Sequence, residues 1–249
     1  MESRDAEALS VADMCGRFAI APKDARAWAN FGEVLGEHVE AALAALEPRF
    51  NVSPTDQVPF LRMHPQTRAV EALLARWGFI PHWWKDVTPP KGSTINARHE
   101  DAPHKPMWRD AWHSRRCLIP ATHWYEWQKL SATSKQPFAL HMKNGEAFCF
   151  AGLYSRWKPP GSDESIYTVA ILTRDAAPDI AHIHDRMPII LHPAVWLRWL
   201  DPATSDSGII SDILAEHAIL EATTYKISAR VSSPRNQGPD VLDPLSTNG

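Results

Sequence analysis

Apolar residues recur at spacings of three and four between residues 24 and 46, which predicts an amphipathic helix bounded by Pro22 and Pro48. A second helix is predicted from Pro193, and a third over residues 208–217. Elsewhere the pattern changes to short β-like runs between Pro, Gly, Asp or Ser residues. These runs predict strands over residues 57–62, 70–77, 117–128, 137–143, 146–154, 166–173 and 222–228.

The predicted strands outnumber the helices and do not alternate with them regularly. This order favours a single compact α+β domain, with a mainly antiparallel, barrel-like sheet and flanking helices, over a doubly wound fold. We expect residues 1–13 to be a leader or to precede the true start, residues 14–240 to form the domain, and residues 241–249 to be a flexible tail.

Composition narrows the function classes. The chain has 249 residues and a net charge of -3, so a nucleic-acid site has to be a local basic patch. Three cysteines are too few for a disulfide scaffold and fit a reducing compartment. No apolar run approaches the ~20 residues that span a bilayer, and the first residues lack the features of a signal peptide. We expect a cytoplasmic monomer that binds no membrane, metal or other cofactor.

Cys15 follows Met14 directly. A lone cysteine is commonly a buried apolar residue, but translation from Met14 with methionine removal, or autocatalytic cleavage after Met14, would make Cys15 the N-terminus. A terminal cysteine carries a thiol and an α-amine with pKa values of about 8.5 and about 7.7–8.0. Together they can condense with an aldehyde to a Schiff base and close to a thiazolidine. The ring-opened sugar of an abasic DNA site is such an aldehyde, and an internal cysteine cannot react in this way.

Several polar residues are candidates to assist this chemistry. Asn96 can hold an amine, a thiol or a sugar hydroxyl through its amide, and Arg98 can bind phosphate. His184 can transfer protons near neutral pH. With His182 it also resembles half of a zinc site, but no CxxC or HExxH pattern completes that set.

Strand alternation over residues 123–127 places Glu126 on the face of Trp124, among large aromatic side chains. Its carboxylate there either faces solvent or is held at a raised pKa, as a general acid or base requires.

An aromatic and cationic segment follows the strand at residues 70–77. Trp77 is expected in the core, whereas Trp83 and Trp84 are candidates to stack on unpaired bases. Pro54 ends a rigid turn that we expect near the same groove.

Together these segments resemble the SRAP family, the SOS response-associated peptidases also called abasic-site processing proteins. Eight stretches match in the family's order and span roughly residues 14–240: Cys15–Phe18, Phe50–Pro54, Trp77–Pro81, Ile95–Arg98, Arg116–Ala121, Trp124–Trp127, Ala151–Leu153 and Ile183–Pro188.

The resemblance implies that the chain shields abasic sites in single-stranded DNA as a covalent crosslink, in association with the nucleoid when DNA is damaged. In this interpretation Cys15 is the nucleophile, Asn96 positions the amine and the sugar, Glu126 relays protons, and His184 assists at the sugar oxygen. Phosphate or DNA contacts are implied for a further set of residues, namely Arg17, Arg98, Trp83, Trp84 and Pro54. The resemblance also implies β-elimination as a lyase side activity and a peptidase activity directed at the chain's own leader. The chain departs from the family pattern at His123, where small residues are more usual.

Two other functions compete with this one. Cys15, His184 and Asn96 can be the constellation of a cysteine peptidase or amidase. Alternatively, the tryptophans and arginines can form a non-enzymatic module that binds intact single strands.

Overall fold

The computed structural model describes residues 15–219 and 222–245. Five α-helices are present in these residues: α1 (Ala29–Leu35), α2 (Glu37–Ala44), α3 (Arg109–Ser114), α4 (Trp196–Leu200) and α5 (Ser207–His217). Short 3-10 turns lie at Ala25–Trp28, Pro193–Val195, Ala229–Ser232 and Pro239–Leu242. The same residues form the strands β1 (Phe18–Ile20), β2 (Arg49–Val52), β3 (Gln57–Met63), β4 (Val70–Trp77), β5 (Asn96–Arg98), β6 (Arg116–Ala121), β7 (His123–Lys129), β8 (Lys135–Met142), β9 (Phe148–Trp157), β10 (Ile166–Asp175), β11 (Arg186–Pro188), β12 (Ile190–Leu191), β13 (Ala218–Ile219) and β14 (Ala222–Lys226).

Five strands close into a barrel in the order β10, β4, β3, β6 and β9, with β9 returning to β10. The β10–β4 contact is parallel, and the other four are antiparallel. Phe60, Leu61, Phe150 and Val169 belong to its buried core. Closure pairs both edges of each barrel strand, and the result confirms the predicted α+β class with a mainly antiparallel, barrel-like sheet.

A second sheet, in the order β14, β8, β7, β1 and β2, packs on the barrel. The ring of Phe18 on β1 contacts Trp77 at 5.0 Å and Phe150 at 5.7 Å between centroids. On β7, Trp124 packs against Phe148 on the same side. Because side chains alternate along a strand, Glu126 also faces the barrel, whereas Tyr125 belongs to a separate small core on the other face.

The helix predicted over residues 24–46 is interrupted. Gly36 has a φ of 105°, which an L side chain rarely adopts, and it ends α1 and starts α2. Apolar spacing therefore identified the buried face correctly, through Phe31 and Val39, but did not show the change of direction.

The run predicted as one strand over residues 117–128 forms two strands. Pro120 is part of β6, paired with Cys149 of β9, and the chain turns at Thr122. On its other side β6 pairs with β3 at Leu118. Proline needs no backbone hydrogen-bond acceptor, so a position paired on one side accommodates it.

The boundary predicted for the flexible tail, at residue 241, lies too early in the chain. Val241 is fully buried, the Tyr225 hydroxyl donates to the carbonyl of Leu242, and the backbone N–H of Leu245 donates to Lys226. Chain packing therefore continues to residue 245, whereas the expected leader lies outside the described residues. No helix among the described residues is long and apolar enough to cross a membrane.

Candidate functional site

Cys15 and Glu126 form a buried pair, 111 residues apart in sequence. The Cys15 thiol donates to the Glu126 Oε1 at 2.7 Å, and the Cys15 backbone N–H donates to the same oxygen at 3.2 Å. Pairing of β1 with β7 produces this contact, because Phe18 lies opposite Trp124 and the next residues along β7 bring Glu126 to the start of β1. Both the sulfur and the nitrogen of Cys15 therefore lie within hydrogen-bonding distance of one carboxyl group.

Burial controls the ionisation of this pair. Desolvation raises the pKa of Glu126 to about 8, and the hydrogen bonds from Cys15 only partly oppose this effect. Burial and the neighbouring Glu126 carboxyl also raise the pKa of the Cys15 thiol. Of the two expected environments for Glu126, the structure shows the buried one. At neutral pH the carboxyl can both accept and release a proton, as a general acid or base does.

A cleft of about 230 Å³ opens beside the pair. Its walls include Arg17, Arg76, Trp77 and Trp127, and no carboxylate occurs among the described residues that line it. Burial lowers the pKa of both arginines, but guanidinium groups stay charged at neutral pH. A chain of net negative charge thus has a locally cationic, aromatic cleft.

Sequence neighbours of three catalytic candidates line this cleft. Gly16, Ile95 and Trp127 line it, and they adjoin Cys15, Asn96 and Glu126 in sequence. Of the four predicted catalytic residues, the structure brings Cys15 and Glu126 into direct contact.

Asn96 and Arg98 are held by β5, which runs parallel to the C-terminal half of β10. Asn96 lies opposite Ile171, and the exposed Arg98 lies opposite Thr173. On its other side Thr173 pairs with Pro188 of β11. The two polar segments identified from sequence, around Asn96 and around His184, therefore flank the same end of one barrel strand.

His184 is tied to β7 through its loop. Gln128, two residues beyond Glu126, donates to the carbonyl of His182 at 3.0 Å. The Nδ1 of His184 lies 3.1 Å from the backbone nitrogen of Arg186 and 3.0 Å from the Asp185 carboxylate. After desolvation, the Asp185 carboxylate on this loop also contributes to the raised pKa of Glu126.

Arg186 anchors that loop. Its guanidinium donates to both oxygens of Glu100, at 2.7 and 2.8 Å, and to the carboxylate of Asp175. These carboxylates raise its pKa. The Arg186 side chain is only 7% exposed and joins β11 to β10 and to the segment after β5.

Arg17 has structural partners that the sequence did not reveal. Its guanidinium donates to Asn51 and to the carbonyls of Val231 and Ser232. The buried Asn51 amide donates to Val231, Ser233 and Asn236. Arg17 lines the cleft while holding the C-terminal segment, and only the match of Asn51 to the family stretch hinted at this role.

The predicted aromatic contacts differ in exposure. Trp83 is 40% exposed, whereas Trp84 is half-buried, with its Nε1 donating to Thr88 at 2.7 Å. Their loop continues to Pro89 and Pro90 in the cleft wall, and Pro54 lines the same cleft. Trp77 is fully buried, as expected.

Gly78 permits the approach of Arg76, a cleft residue that sequence analysis did not single out. Gly78 has a φ of 129°, and a Cβ there would lie 2.6 Å from Arg76 Nη1. Arg76 instead donates to the Gly78 carbonyl at 3.0 Å. The Arg-Trp-Gly order was the available signal, because a glycine lets a cationic side chain fold back over the turn.

A mixed barrel with a buried cysteine hydrogen-bonded to a carboxyl group defines a single-domain α+β protein with a candidate cysteine-based site. A sequence model of the SOS response associated peptidase (SRAP) family matches residues 14–234. The chain belongs to this family.

Two curated relatives and a solved structure are similar to this chain over most of its length. The abasic site processing protein YoqW of Bacillus subtilis is 32% identical over 233 residues, covering 92% of this chain and 99% of the relative. The abasic site processing protein YoaM of the same species is 30% identical, covering 92% and 98%. The crystal structure of a Bacteroides thetaiotaomicron protein has the same fold, with a TM-score of 0.70 and 24% identity over 92% of this chain and 99% of that chain.

Proposed function

We propose that this protein captures abasic sites in single-stranded DNA by forming a thiazolidine with an N-terminal Cys15. The observation that carries the proposal is the position of the Cys15 nitrogen and sulfur, at 3.2 and 2.7 Å from one buried carboxyl oxygen. An aminothiol needs both atoms to react in sequence with one carbonyl carbon, and one group that exchanges protons serves both steps.

The chemistry proceeds in two stages. The Cys15 amine adds to the aldehyde carbon of the ring-opened sugar and water leaves, forming a Schiff base. The thiol then gives its proton to Glu126, its sulfur adds to the same carbon of the protonated Schiff base, and a five-membered ring closes. Glu126 supplies the proton that departs with water and accepts the proton of the thiol, a role supported by its pKa of about 8. Asn96 holds the amine and the sugar, and His184 assists at the sugar oxygen.

Cys15 must first become the terminal residue, and the same pair supports self-cleavage. The thiol passes its proton to Glu126 and its sulfur attacks the Met14 carbonyl carbon. The carbon–nitrogen bond breaks, Glu126 returns the proton to the nitrogen, and water hydrolyses the thioester. The φ of 47° at Cys15 adds a driving force, since the left-handed region costs an L residue about 1–2 kcal/mol. Translation from Met14 with methionine removal gives the same terminus.

Cleft residues, together with residues outside the cleft lining, supply the DNA contacts of the proposal. Arg17 and Arg98 bind phosphates, Trp83 and Trp84 offer stacking surfaces, and Pro54 shapes the wall. Base stacking is tolerant of sequence, so the protein selects the lesion by its aldehyde. Because a Schiff base acidifies the neighbouring sugar carbon, β-elimination competes with ring closure and gives a lyase activity. We propose that the protein acts as a monomer.

The test uses protein whose chain begins at Cys15, and a single-stranded oligonucleotide with one abasic site. We expect one covalent adduct per chain that survives denaturation, with a mass equal to protein plus DNA minus one water. Cys15→Ala removes the adduct, Glu126→Gln slows its formation, and Cys149→Ala, a change at another buried cysteine, leaves it intact. Capture by Cys15→Ala at the normal rate would refute the proposal.

A trans-acting peptidase is the competing enzyme. It needs a histidine to activate the cysteine, whereas the Cys15 thiol donates a hydrogen bond to a carboxyl group. Cleavage of added peptides in place of DNA capture would support that alternative.

A further inference from the structure

Arg76 is a half-buried cation in the cleft wall to which the proposed function gives no role. Among the described residues, only the Gly78 carbonyl accepts from its guanidinium, at 3.0 Å. Arg62, another arginine of low exposure, is paired with Glu71 at 2.8 Å. No such ion pair holds Arg76 within the described part of the chain.

The missing partner has an energetic consequence. Desolvation lowers the pKa of Arg76, and no neighbouring acidic group opposes that effect. Partial burial of a charge is unfavourable unless a group of opposite charge compensates it. Since no described residue of the cleft lining is a carboxylate, an anionic ligand has to supply the compensating charge.

Thr94 places a second polar group beside Arg76. It lines the cleft although it is only 8% exposed, and its hydroxyl has no hydrogen-bond partner among the described residues. A Cβ on Gly78 would lie 2.6 Å from Arg76 Nη1 and 3.8 Å from the Thr94 hydroxyl oxygen. Because Gly78 has no side chain, the guanidinium and the hydroxyl can lie near one another on the same side of this turn.

Backbone hydrogen bonds hold the two segments in place. The Gly78 N–H donates to the Val169 carbonyl at 2.9 Å, and the Phe79 N–H donates to the Thr94 carbonyl at 2.9 Å. The turn after β4 is therefore fixed to β10 and to the segment that leads into β5. A ligand that binds both polar groups meets a site that is already formed.

We propose that Arg76 and the Thr94 hydroxyl bind one phosphate of the DNA strand, at a linkage next to the abasic sugar. This inference rests on the proposed function, which places the strand in the cleft. Phosphate contacts set the register of a nucleic acid on a protein. This contact holds the abasic sugar within reach of Cys15, because the adjoining Gly16 lines the same cleft.

The donor and acceptor properties of the site favour a phosphate over a nucleobase edge. A guanidinium has five N–H donors and no acceptor, and a threonine hydroxyl adds one further donor. Nucleobase edges carry donors as well as acceptors. The non-bridging oxygens of a phosphodiester only accept, and they carry the negative charge that Arg76 lacks. Such charge-assisted hydrogen bonds are stronger than neutral ones.

The first test measures binding without covalent capture. It uses protein that begins at Cys15, and a single strand in which a tetrahydrofuran analogue, which has no aldehyde, replaces the abasic sugar. In fluorescence anisotropy, Arg76→Gln should weaken binding by about tenfold and should make the slope of log affinity against log salt shallower by about 0.7. Thr94→Val should weaken binding without a change of slope, because it removes no charge. Arg26→Gln, at an exposed arginine paired with Asp24, is the control and should change neither quantity.

The second test identifies the phosphate. Neutral methylphosphonate linkages replace the phosphates of the analogue strand one at a time. At one linkage beside the analogue, the wild-type protein should lose affinity and Arg76→Gln should lose no more. If Arg76→Gln lowers the thermal unfolding temperature, Thr94→Val takes its place in this comparison. Full wild-type affinity in both variants, or losses that add fully at every linkage, would overturn the phosphate site.

These binding results can be separated from the capture chemistry. Wild-type protein that binds the analogue through Arg76, but forms no adduct with a true abasic strand, would refute capture and leave the phosphate site standing. Wild-type protein that forms the adduct, while Arg76→Gln binds the analogue as tightly at every salt concentration, would refute the phosphate site alone.

Discussion

Replacement of Glu126 by glutamine should change how stability depends on pH. The folded protein raises the pKa of Glu126 from 4.5 to about 8. Between these values the folded state keeps a proton that the unfolded state has released, so stability is lost as pH rises. The stabilisation that results from the raised pKa of Glu126 is fully present below pH 4.5 and is lost above about pH 8. Glutamine has similar shape and no charge, so this loss should be absent from the variant.

The magnitude follows from linkage. Each pH unit inside the window costs the wild-type carboxyl about 1.4 kcal/mol relative to glutamine. From pH 5 to pH 7.5 the difference in unfolding free energy between the two proteins should therefore shift by about 3 kcal/mol in favour of Glu126→Gln.

The assay is urea unfolding at half-unit pH steps, with free energies from linear extrapolation. Both proteins carry Cys15→Ala so that the chain stays uncleaved. Since the Cys15 hydrogen bonds lower the pKa of Glu126, their loss does not narrow the window. Parallel profiles for the two proteins across this range would refute the reasoning, because Glu126 would then ionise as an exposed carboxyl does.

Three further changes test packing and DNA contact. Gly152→Ala places a Cβ 3.0 Å from the Cys117 sulfur. Urea unfolding should therefore show a loss of about 1–3 kcal/mol in the free energy of unfolding. An unchanged unfolding midpoint would contradict this packing. Arg116, only 2% exposed, donates to the carbonyls of residues 112, 113, 199 and 201. Arg116→Lys leaves buried carbonyls without donors and should cost at least about 1–3 kcal/mol in the same assay; full stability would show that one ammonium suffices. Trp83→Ala should weaken binding of intact single-stranded DNA by about 1–3 kcal/mol in fluorescence anisotropy, with unchanged thermal stability. Leu197→Ala, at another exposed apolar residue, is the matched control, and equal effects of the two would argue against stacking by Trp83.

The pattern of apolar residues and turn residues predicted the long strands, because each long strand carries this pattern within its own sequence. Strand β4 has the predicted bounds, and β3 and β10 differ from their predictions only at one end. The short strands β5 and β11 exist because they pair with β10, and three residues carry too little alternation to reveal a strand.

The reactive residues were recognisable by type and motif, but their geometry was not. Strand alternation placed Glu126 beside Trp124, yet only tertiary pairing shows that its carboxyl group is buried against Cys15. The double role of Arg17 was equally hidden, because its partners at Val231 and Ser232 are more than 200 residues away, at sequence separations of 214 and 215. No local pattern encodes contacts at that range.

The most direct measurement compares two preparations of the same protein with an abasic single strand: one beginning at Cys15, and one beginning at Cys15 with its α-amine acetylated. Intact mass confirms each terminus, and a denaturing gel measures covalent capture over time. Our account predicts stable adduct from the free-amine protein alone. Adduct formation by the acetylated protein at the same rate would show that capture does not need the amine and would contradict the thiazolidine mechanism.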